Sequence, residues 1–292
     1  VGRRAVLIFN PKAGRGAPKA RLLPRVLESF ARSDLEVTPA PTREPGEATT
    51  LARRAASEGV DLVIGWGGDG TLNEIVRGLV HSQSVLGVLP GGTVNVFARE
   101  VGIPFGVERA CDAIVRGRRH RIALGSAGGR PFLLMAGVGL DAAVVERLGL
   151  AMKRGLGVTS FWIEGLKQLV QYDLAPFLVR AEGREYRATT AIVGKMRLFG
   201  PGYVITPDAG IDVPHLDVVL FQGTRRRDYL RYLAGVLAGT HTGFADVVHF
   251  HATALDVEGS PSLPHQLDGE AAGIGPVRIE VLPDALEVVL PG

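Results

Sequence analysis

The sequence predicts two domains: an α/β N-terminal domain with a mainly parallel sheet over residues 1–121, and a β-rich, sandwich-like C-terminal domain over residues 122–284. Three observations lead there. Up to about residue 120, short apolar runs alternate with stretches of helical spacing, the order that a parallel sheet covered on both faces requires. Beyond residue 121, short apolar runs follow one another with turns between them, the pattern of a sandwich or barrel. The 39 glycines gather in tight clusters between apolar runs, which marks turns rather than a low-complexity tail.

The elements follow in order. Ala5–Asn10 is an apolar strand ending at Asn-Pro, and Lys19–Ala31 places Leu22, Leu23, Val26, Leu27 and Phe30 at helical spacing. Leu35–Thr38 is a second strand, and Ala48–Ser57 is a helix introduced by Pro45. Asp61–Gly65 is the third strand, Thr71–Val80 a helix and Val85–Leu89 the fourth strand, with helical pieces at Val94–Val101 and Val107–Arg116. Strands are then predicted at Ile122–Leu124, Phe132–Ala136, Phe177–Ala181, Thr189–Val193, Val218–Phe221, Val247–Leu255, Val277–Val281 and Leu286–Leu290. Helices interrupt them at Asp141–Leu150, Thr159–Val170 and Asp228–Ala238.

Hydrophobic residues make up 46% and charged residues 22%, the balance of a packed globular chain. The net charge of +3 suits phosphate ligands and anionic membranes without demanding nucleic acid, and no nucleic-acid partner is expected. The basic runs Arg116–Arg121 and Arg225–Arg227 are short and read as solvated turns. A single cysteine, Cys111, excludes an intramolecular disulfide and a cysteine-based metal site, as a reducing cytosol allows. It sits in an apolar pattern and reads as a buried small side chain. No apolar run approaches the roughly 20 residues needed to cross a bilayer, and Val-Gly-Arg-Arg at the start lacks a signal-peptide core. The expectation is a cytoplasmic protein, with the inner face of the membrane as a place of transient, peripheral contact.

Three glycine-rich turns carry the chemistry. Gly65-Trp66-Gly67-Gly68-Asp69-Gly70-Thr71-Leu72-Asn73-Glu74 lies between a strand and an amphipathic helix. Glycines there let backbone N–H groups approach an anion, and the helix that follows aims its positive end at the same place. Asp69 beside bare phosphate would repel it; with Mg²⁺ between them the carboxylate becomes useful. The structural alternative is a turn with Thr71 and Glu74 as a capping box. The second turn is Asn10-Pro11-Lys12-Ala13-Gly14-Arg15-Gly16, and it lacks the Gly-Lys-Ser/Thr ending of a Walker sequence. The third runs from Pro90 to Ala98, with Thr93 able to cap the next helix. All three follow strands of one inferred parallel sheet, and ligands bind such sheets beyond the carboxyl ends of their strands. Gly65-x-Gly67-x-x-Gly70 and Gly137-x-Gly139-x-x-Ala142 match a dinucleotide fingerprint by position. The first has no acidic residue ending the next strand, the second lies outside the alternating region, and hydride transfer is rejected.

These residues resemble the diacylglycerol kinase catalytic family, especially its bacterial soluble lipid kinases. The likeness rests on Asn10–Gly14, Gly67–Glu74 and Leu86–Ala98, then Gly137-x-Gly139-x-Asp141, Ala209-x-x-Asp212, Leu216–Val218 and Asp268-Gly269-Glu270, in order over nearly the whole chain. It implies a nucleotide cleft between the two domains and a lipid groove in the second. In that family the last strand often returns to the first domain, which makes 285–290 a candidate to do so. It implies ATP contacts at Asn10, Pro11, Lys12, Ala13, Gly14, Thr42, Gly67, Gly68, Asp69, Gly70, Thr71, Leu72, Asn73, Glu74 and Thr93. Mg²⁺ would accompany the ATP, with Asp69 as its ligand directly or through water. Asp69, Asp268 and Glu270 are the catalytic candidates. Glu270 is favoured as the base for a lipid hydroxyl and Asp268 is the alternative; a plain β-hairpin turn is the structural reading of both.

Two departures stand out. Asn95-Val96-Phe97-Ala98 lacks the aspartate of the relatives' Asn-Asp-Phe-Ala. The family's Asp-Asp-Gly segment, which can hold a structural Mg²⁺, aligns with Asp212-Val213-Pro214, and a valine side chain cannot ligate a hard cation. His249 and His251, two apart on one strand face, could suit a metal but read as a surface pair. Phe161, Trp162, Leu166, Leu169 and Val170 form an apolar helical stripe, read as core or as a lipid entrance. Two other functions remain open: a kinase for a soluble acceptor such as NAD, and a nucleotide-binding regulator without catalysis. Neither the acceptor lipid nor the oligomeric state can be read from the residues.

Overall fold

The computed structural model describes residues 3–11, 19–152, 171–200 and 202–292. The expected helix Thr159–Val170 and its apolar stripe lie outside the described residues, as do Lys12, Ala13 and Gly14. The chain divides into two compact units, residues 1–124 with 282–292, and residues 125–281.

The first unit alternates as the apolar pattern requires: β1 (Arg3–Phe9), α1 (Lys19–Ala31), β2 (Leu35–Pro41), α2 (Glu47–Ser57), β3 (Leu62–Gly67), α3 (Asp69–Leu79), β4 (Val85–Pro90), α4 (Val96–Glu100) and α5 (Val107–Arg116). The strands run parallel in the order β2-β1-β3-β4. Beyond β4, Glu287 and Val288 at the end of the last strand pair parallel with Val85 and Leu86. Phe9, Val26, Phe30, Ile64, Trp66, Cys111 and Ile114 form one core layer with α1 and α5. On α3, Gly78 allows close helix packing, because a Cβ there would meet the Thr49 carbonyl oxygen at 2.5 Å. The parallel order brings the ends of β1, β3 and β4 to one rim.

The second unit opens with β5 (Arg118–Ala127, entered from the first unit), β6 (Arg130–Phe132), β7 (Met135–Gly139), α6 (Leu140–Met152), β8 (Phe177–Ala181), β9 (Arg184–Ala188) and β10 (Thr190–Gly194). It continues with β11 (Leu198–Phe199), β12 (Tyr203–Val204), β13 (Leu216–Phe221), α7 (Arg226–Ala238), β14 (Val247–Ala252), β15 (Ala254–Glu258), β16 (Pro264–Leu267) and β17 (Glu270–Ile274). The final strand, β18, spans Val277–Leu290. One antiparallel sheet has the order β14-β13-β10-β7-β16-β17. A second pairs β9 with β8, β8 with β15, and β15 with Val277–Glu280 of β18. Between them lies an apolar layer that includes Ala136, Val138, Val179, Val193, Val218, Leu255 and Ile279, the packing of a sandwich.

Several boundaries differ from the sequence expectation, each for a physical reason. Val277–Val281 and Leu286–Leu290 are one continuous strand, whose middle carries the turn-like Pro283-Asp284. Val247–Leu255 divides at Thr253 into two strands that join different sheets. β9 and β17, with the sequences REYRA and EAAGI, lack the apolar alternation that marks a half-buried strand. Helix α3 begins at Asp69 with Gly68 as N-cap, so Thr71 and Glu74 are not a capping box. Asn95, not Thr93, is the N-cap residue of α4.

Candidate functional site

Two of the three glycine turns touch backbone to backbone. A Cβ on Gly92 would stand 2.3 Å from the Gly68 Cα and 2.9 Å from the Asn95 Oδ1. The Gly91 amide donates to the Gly67 carbonyl at 2.8 Å, which extends the β3–β4 pairing into the turns. Asn95 is buried in left-handed backbone, φ 54°, where asparagine is better tolerated than most residues. Its amide group closes the third turn: Oδ1 accepts from the Gly92 N–H at 2.8 Å and Nδ2 donates to the Gly92 carbonyl at 3.0 Å. Gly65, Gly67, Gly68, Asp69, Leu72, Val88, Pro90, Asn95 and Ala98 line a small recess there.

Asp69 joins the two turns. As the first residue of α3, its Oδ1 accepts from the Phe97 amide of α4 at 3.2 Å. The carboxylate is thus held beside the amino ends of two helices, where free N–H groups and the helix dipoles favour anions. A carboxylate so fixed, half-buried beside the amides of two helix starts, fits a hard cation that accompanies a nucleotide.

The other candidates take distinct places. The Glu74 Oε2 accepts from the Ala48 amide at 3.2 Å, and Thr49 Oγ1 donates to the Glu74 carbonyl at 2.8 Å, so Glu74 ties α3 to the start of α2. Leu72 and Asn73 are buried, Thr71 is half-buried, and Gly70 and Thr93 are exposed. Thr42 is buried and its amide donates to the Phe9 carbonyl at 2.8 Å, which places it next to Asn10 and Pro11 at the end of β1. Sequence reasoning missed Lys19. Its Nζ donates to the Asn10 carbonyl at 3.1 Å, lies 5.8 Å from the Trp66 ring, and its Cε would sit 3.1 Å from a Cβ on Gly91. One ammonium therefore stands beside all three strand ends, and burial pushes its pKa down to about 8. A lysine opening a helix, against the dipole, was the signal available.

In the second unit, the β16–β17 hairpin turns through Asp268 and Gly269, both with positive φ. The Asp268 carboxylate accepts from the Leu133, Leu134 and Met135 amides at 2.7, 2.8 and 2.9 Å, docking the turn on the β6–β7 connection. Glu270 makes an ion pair with Arg130 at 3.1 Å; both side chains are about one-third exposed. A polar chain runs on from the turn: the Gly269 amide donates to Gln266 Oε1, and Gln266 Nε2 donates to Asp141 Oδ2, both at 2.8 Å. Gly137 makes room for that carboxylate, since a Cβ there would meet Asp141 Oδ2 at 1.9 Å. The residue Asp141 is half-buried but its carboxyl is enclosed. Burial pushes its pKa up from 3.8 to about 6, against a smaller downward pull from Gln266.

The residues do not fit a structural Mg²⁺ at the 210–213 loop. Lys195, with no exposed surface, donates from Nζ to the Gly210 carbonyl at 3.2 Å and the Val213 carbonyl at 2.5 Å. Burial pushes its pKa down to about 8, against an upward pull from Asp212. The loop carbonyls already hold the Lys195 ammonium, and Val213 adds no side-chain oxygen.

Two stability predictions follow from these contacts. Gly92→Ala forces the two turns apart and costs about 1–3 kcal/mol, seen as a fall of several degrees in Tm; the open Gly243→Ala is the control. For Asp141 the folded pKa lies above the unfolded one, so its stability contribution is intact below about pH 4 and is lost as pH rises through about 6. Asp141→Asn, which keeps an acceptor for Gln266, is expected to raise stability near neutral pH by up to about 2 kcal/mol, with no gain below pH 4. Denaturant melts across that range test it, and a loss of stability at neutral pH would refute it.

Comparison with known proteins bears on the family and the fold. Residues 4–127 match the family model described as the diacylglycerol kinase catalytic domain. Residues 135–290 match the YegS C-terminal NAD kinase beta sandwich-like domain. A diacylglycerol kinase of Bacillus subtilis (strain 168) is 29% identical over 99% of this chain and 97% of its own length. One of Staphylococcus carnosus (strain TM300) is 27% identical over 99% and 95%. A crystal structure from Bacillus anthracis str. Sterne, described as a candidate diacylglycerol kinase, superposes with TM-score 0.81 at 26% identity, over 99% of this chain and 97% of that one. With both units matched and relatives aligned over nearly their whole lengths, the chain belongs to the diacylglycerol kinase catalytic-domain family, in its two-unit form with a YegS-type β-sandwich.

Proposed function

We propose that this protein transfers the terminal phosphoryl group of ATP to the hydroxyl of a diacylglycerol-like lipid. The observation that carries this reading is the pair of abutting glycine turns with Asp69 fixed between them, in a chain of this family. Phosphoryl transfer asks chiefly for positioning and charge neutralisation, and these turns place backbone N–H groups at helix starts. Lys19 adds an ammonium at the same rim. Mg²⁺, when bound, neutralises phosphate charge, and Asp69 would hold it. The lipid oxygen bonds to the γ-phosphorus as the bridge to ADP breaks, and the hydroxyl proton passes to Glu270. Glu270 suits that task better than Asp268, because the Asp268 carboxylate is committed to three backbone amides that dock its turn, whereas Glu270 is paired with Arg130. The glycine turns lie in the first unit and Glu270 in the second.

The partner surface we infer is an anionic membrane, and helix α7 is the described element that suits it. Leu230, Leu233 and Leu237 are 51%, 39% and 49% exposed at i, i+3 and i+7, while Tyr229, Tyr232 and Gly235 are buried on the other side. Arg225, Arg226 and Arg227 are exposed at its amino end, where the helix dipole disfavours cations but anionic headgroups would favour them. No helix among the described residues is long and apolar enough to cross a membrane.

A second acceptor deserves a test, because the family model matching the second unit carries the NAD kinase name. With radiolabelled ATP, the lipid reading expects label in the organic extract; label only in the aqueous phase with NAD would replace it. Glu270→Gln is expected to cut kcat by about 10²- to 10⁴-fold with ATP binding retained. Asp268→Asn should lower Tm as well as activity. Undiminished turnover in Glu270→Gln would remove it from the mechanism. The pair Leu233→Glu and Leu237→Glu should abolish sedimentation with phosphatidylglycerol vesicles and leave ATP affinity unchanged; unaltered sedimentation would clear α7 of any membrane role.

A further inference from the structure

We propose that Asp208, His249 and His251, with Asp217 held against His249, form a binding site for one divalent transition-metal ion, zinc by the chemistry of the donors, separate from any metal that accompanies ATP. His249 and His251 stand two apart on β14, so both rings leave the same face of the sheet. Asp217 of β13 is paired directly with His251, and Asp208 comes from the loop before β13. This face is opposite the sandwich core, to which β13 presents Leu216, Val218 and Leu220.

The donor atoms converge. His249 Nε2 lies 2.6 Å from Asp217 Oδ1 and 3.7 Å from Asp208 Oδ2, and His251 Nε2 lies 3.2 Å from the same Asp208 oxygen. One donor atom each from Asp208, His249 and His251 lies within 4.8 Å of the other two. Ligands about 2.0–2.1 Å from a tetrahedral zinc stand roughly 3.3 Å from one another, and the 3.7 Å and 3.2 Å separations from Asp208 bracket that spacing. Two imidazoles with carboxylate oxygens select a first-row transition metal over Mg²⁺ or Ca²⁺, which prefer all-oxygen sites.

Charge balance points the same way. Asp217 has no exposed surface, and its hydrogen-bond partners are the Asp208 amide at 2.7 Å on Oδ2 and His249 on Oδ1. A buried carboxylate is costly unless positive charge compensates it. A divalent cation among these donors supplies that charge and replaces the Nε2 protons now shared with carboxylates. The Asp208 amide fixes the Asp217 carboxylate, and the His215 ring stacks on His251 at 4.2 Å between centroids. Such outer contacts hold metal ligands in orientation. The pair that looks like two surface histidines in the sequence is thus one side of a four-residue cluster.

The test titrates Zn²⁺ alone into the full chain against a chromophoric chelator near neutral pH, without ATP or lipid, so its outcome is independent of the kinase reading. One equivalent of zinc is expected, and Co²⁺ should give the visible d–d absorption of a four-coordinate nitrogen–oxygen site. The double variant His249→Ala/His251→Ala should weaken zinc binding by about 100-fold or more. Asp208→Asn, at an exposed side chain whose loss does not threaten the fold, should weaken it by about 10-fold. Mg²⁺ in excess should not compete. Absence of zinc binding by the parent chain, or unchanged affinity in both variants, would overturn the proposal.

Discussion

The candidate nucleotide site depends on a steric constraint: the backbone at Gly68 and the backbone at Gly92 lie too close for a Cβ on Gly92 to fit between them. That approach lets the ends of β3 and β4 present their turns as one surface. It also brings the Asp69 carboxylate within reach of the Phe97 amide. Two helix starts, α3 and α4, are thereby linked through one carboxylate. Asn95 maintains the arrangement from inside, spending its whole amide group on both polar atoms of Gly92.

In the second unit the corresponding constraint is polar rather than steric. Asp268 draws three successive amides of the β6–β7 connection to one carboxylate, and Gln266 links the turn to Asp141 at the start of α6. These linked hydrogen bonds tie the hairpin tip to the β6–β7 connection and to α6. Glu270 extends from that base beside Arg130. A carboxylate supported in this way keeps its position without being buried itself.

Cations built from the chain's own side chains recur. Lys19 occupies the rim of the parallel sheet, and Lys195 sits on two carbonyls of the 210–213 loop. Burial lowers the pKa of both to about 8, so each is held charged near neutrality at some cost in desolvation. Lys195 makes a divalent ion at that loop unnecessary. A short distance along the chain, Asp208, Asp217 and the two histidines gather nitrogen and oxygen donors of a different kind.

Residue spacing alone establishes the alternation of the first unit, the β-rich character of the second and the identity of the glycine turns. These are local properties: apolar period, turn residues and glycine clusters act within a few neighbours of each residue. The sequence also shows that Val213 could not serve a structural metal. Only the tertiary structure decided what the polar residues do. Glu74 docks one helix on another, Asp268 organises a turn, Lys19 reaches the glycine rim, and His249 meets Asp217 across 32 residues of chain. Partners so distant in sequence leave no periodic trace, because strand pairing and loop return bring them together and neither is written in any one segment. The same holds for β18, whose two halves look like separate strands until sheet pairing makes them one.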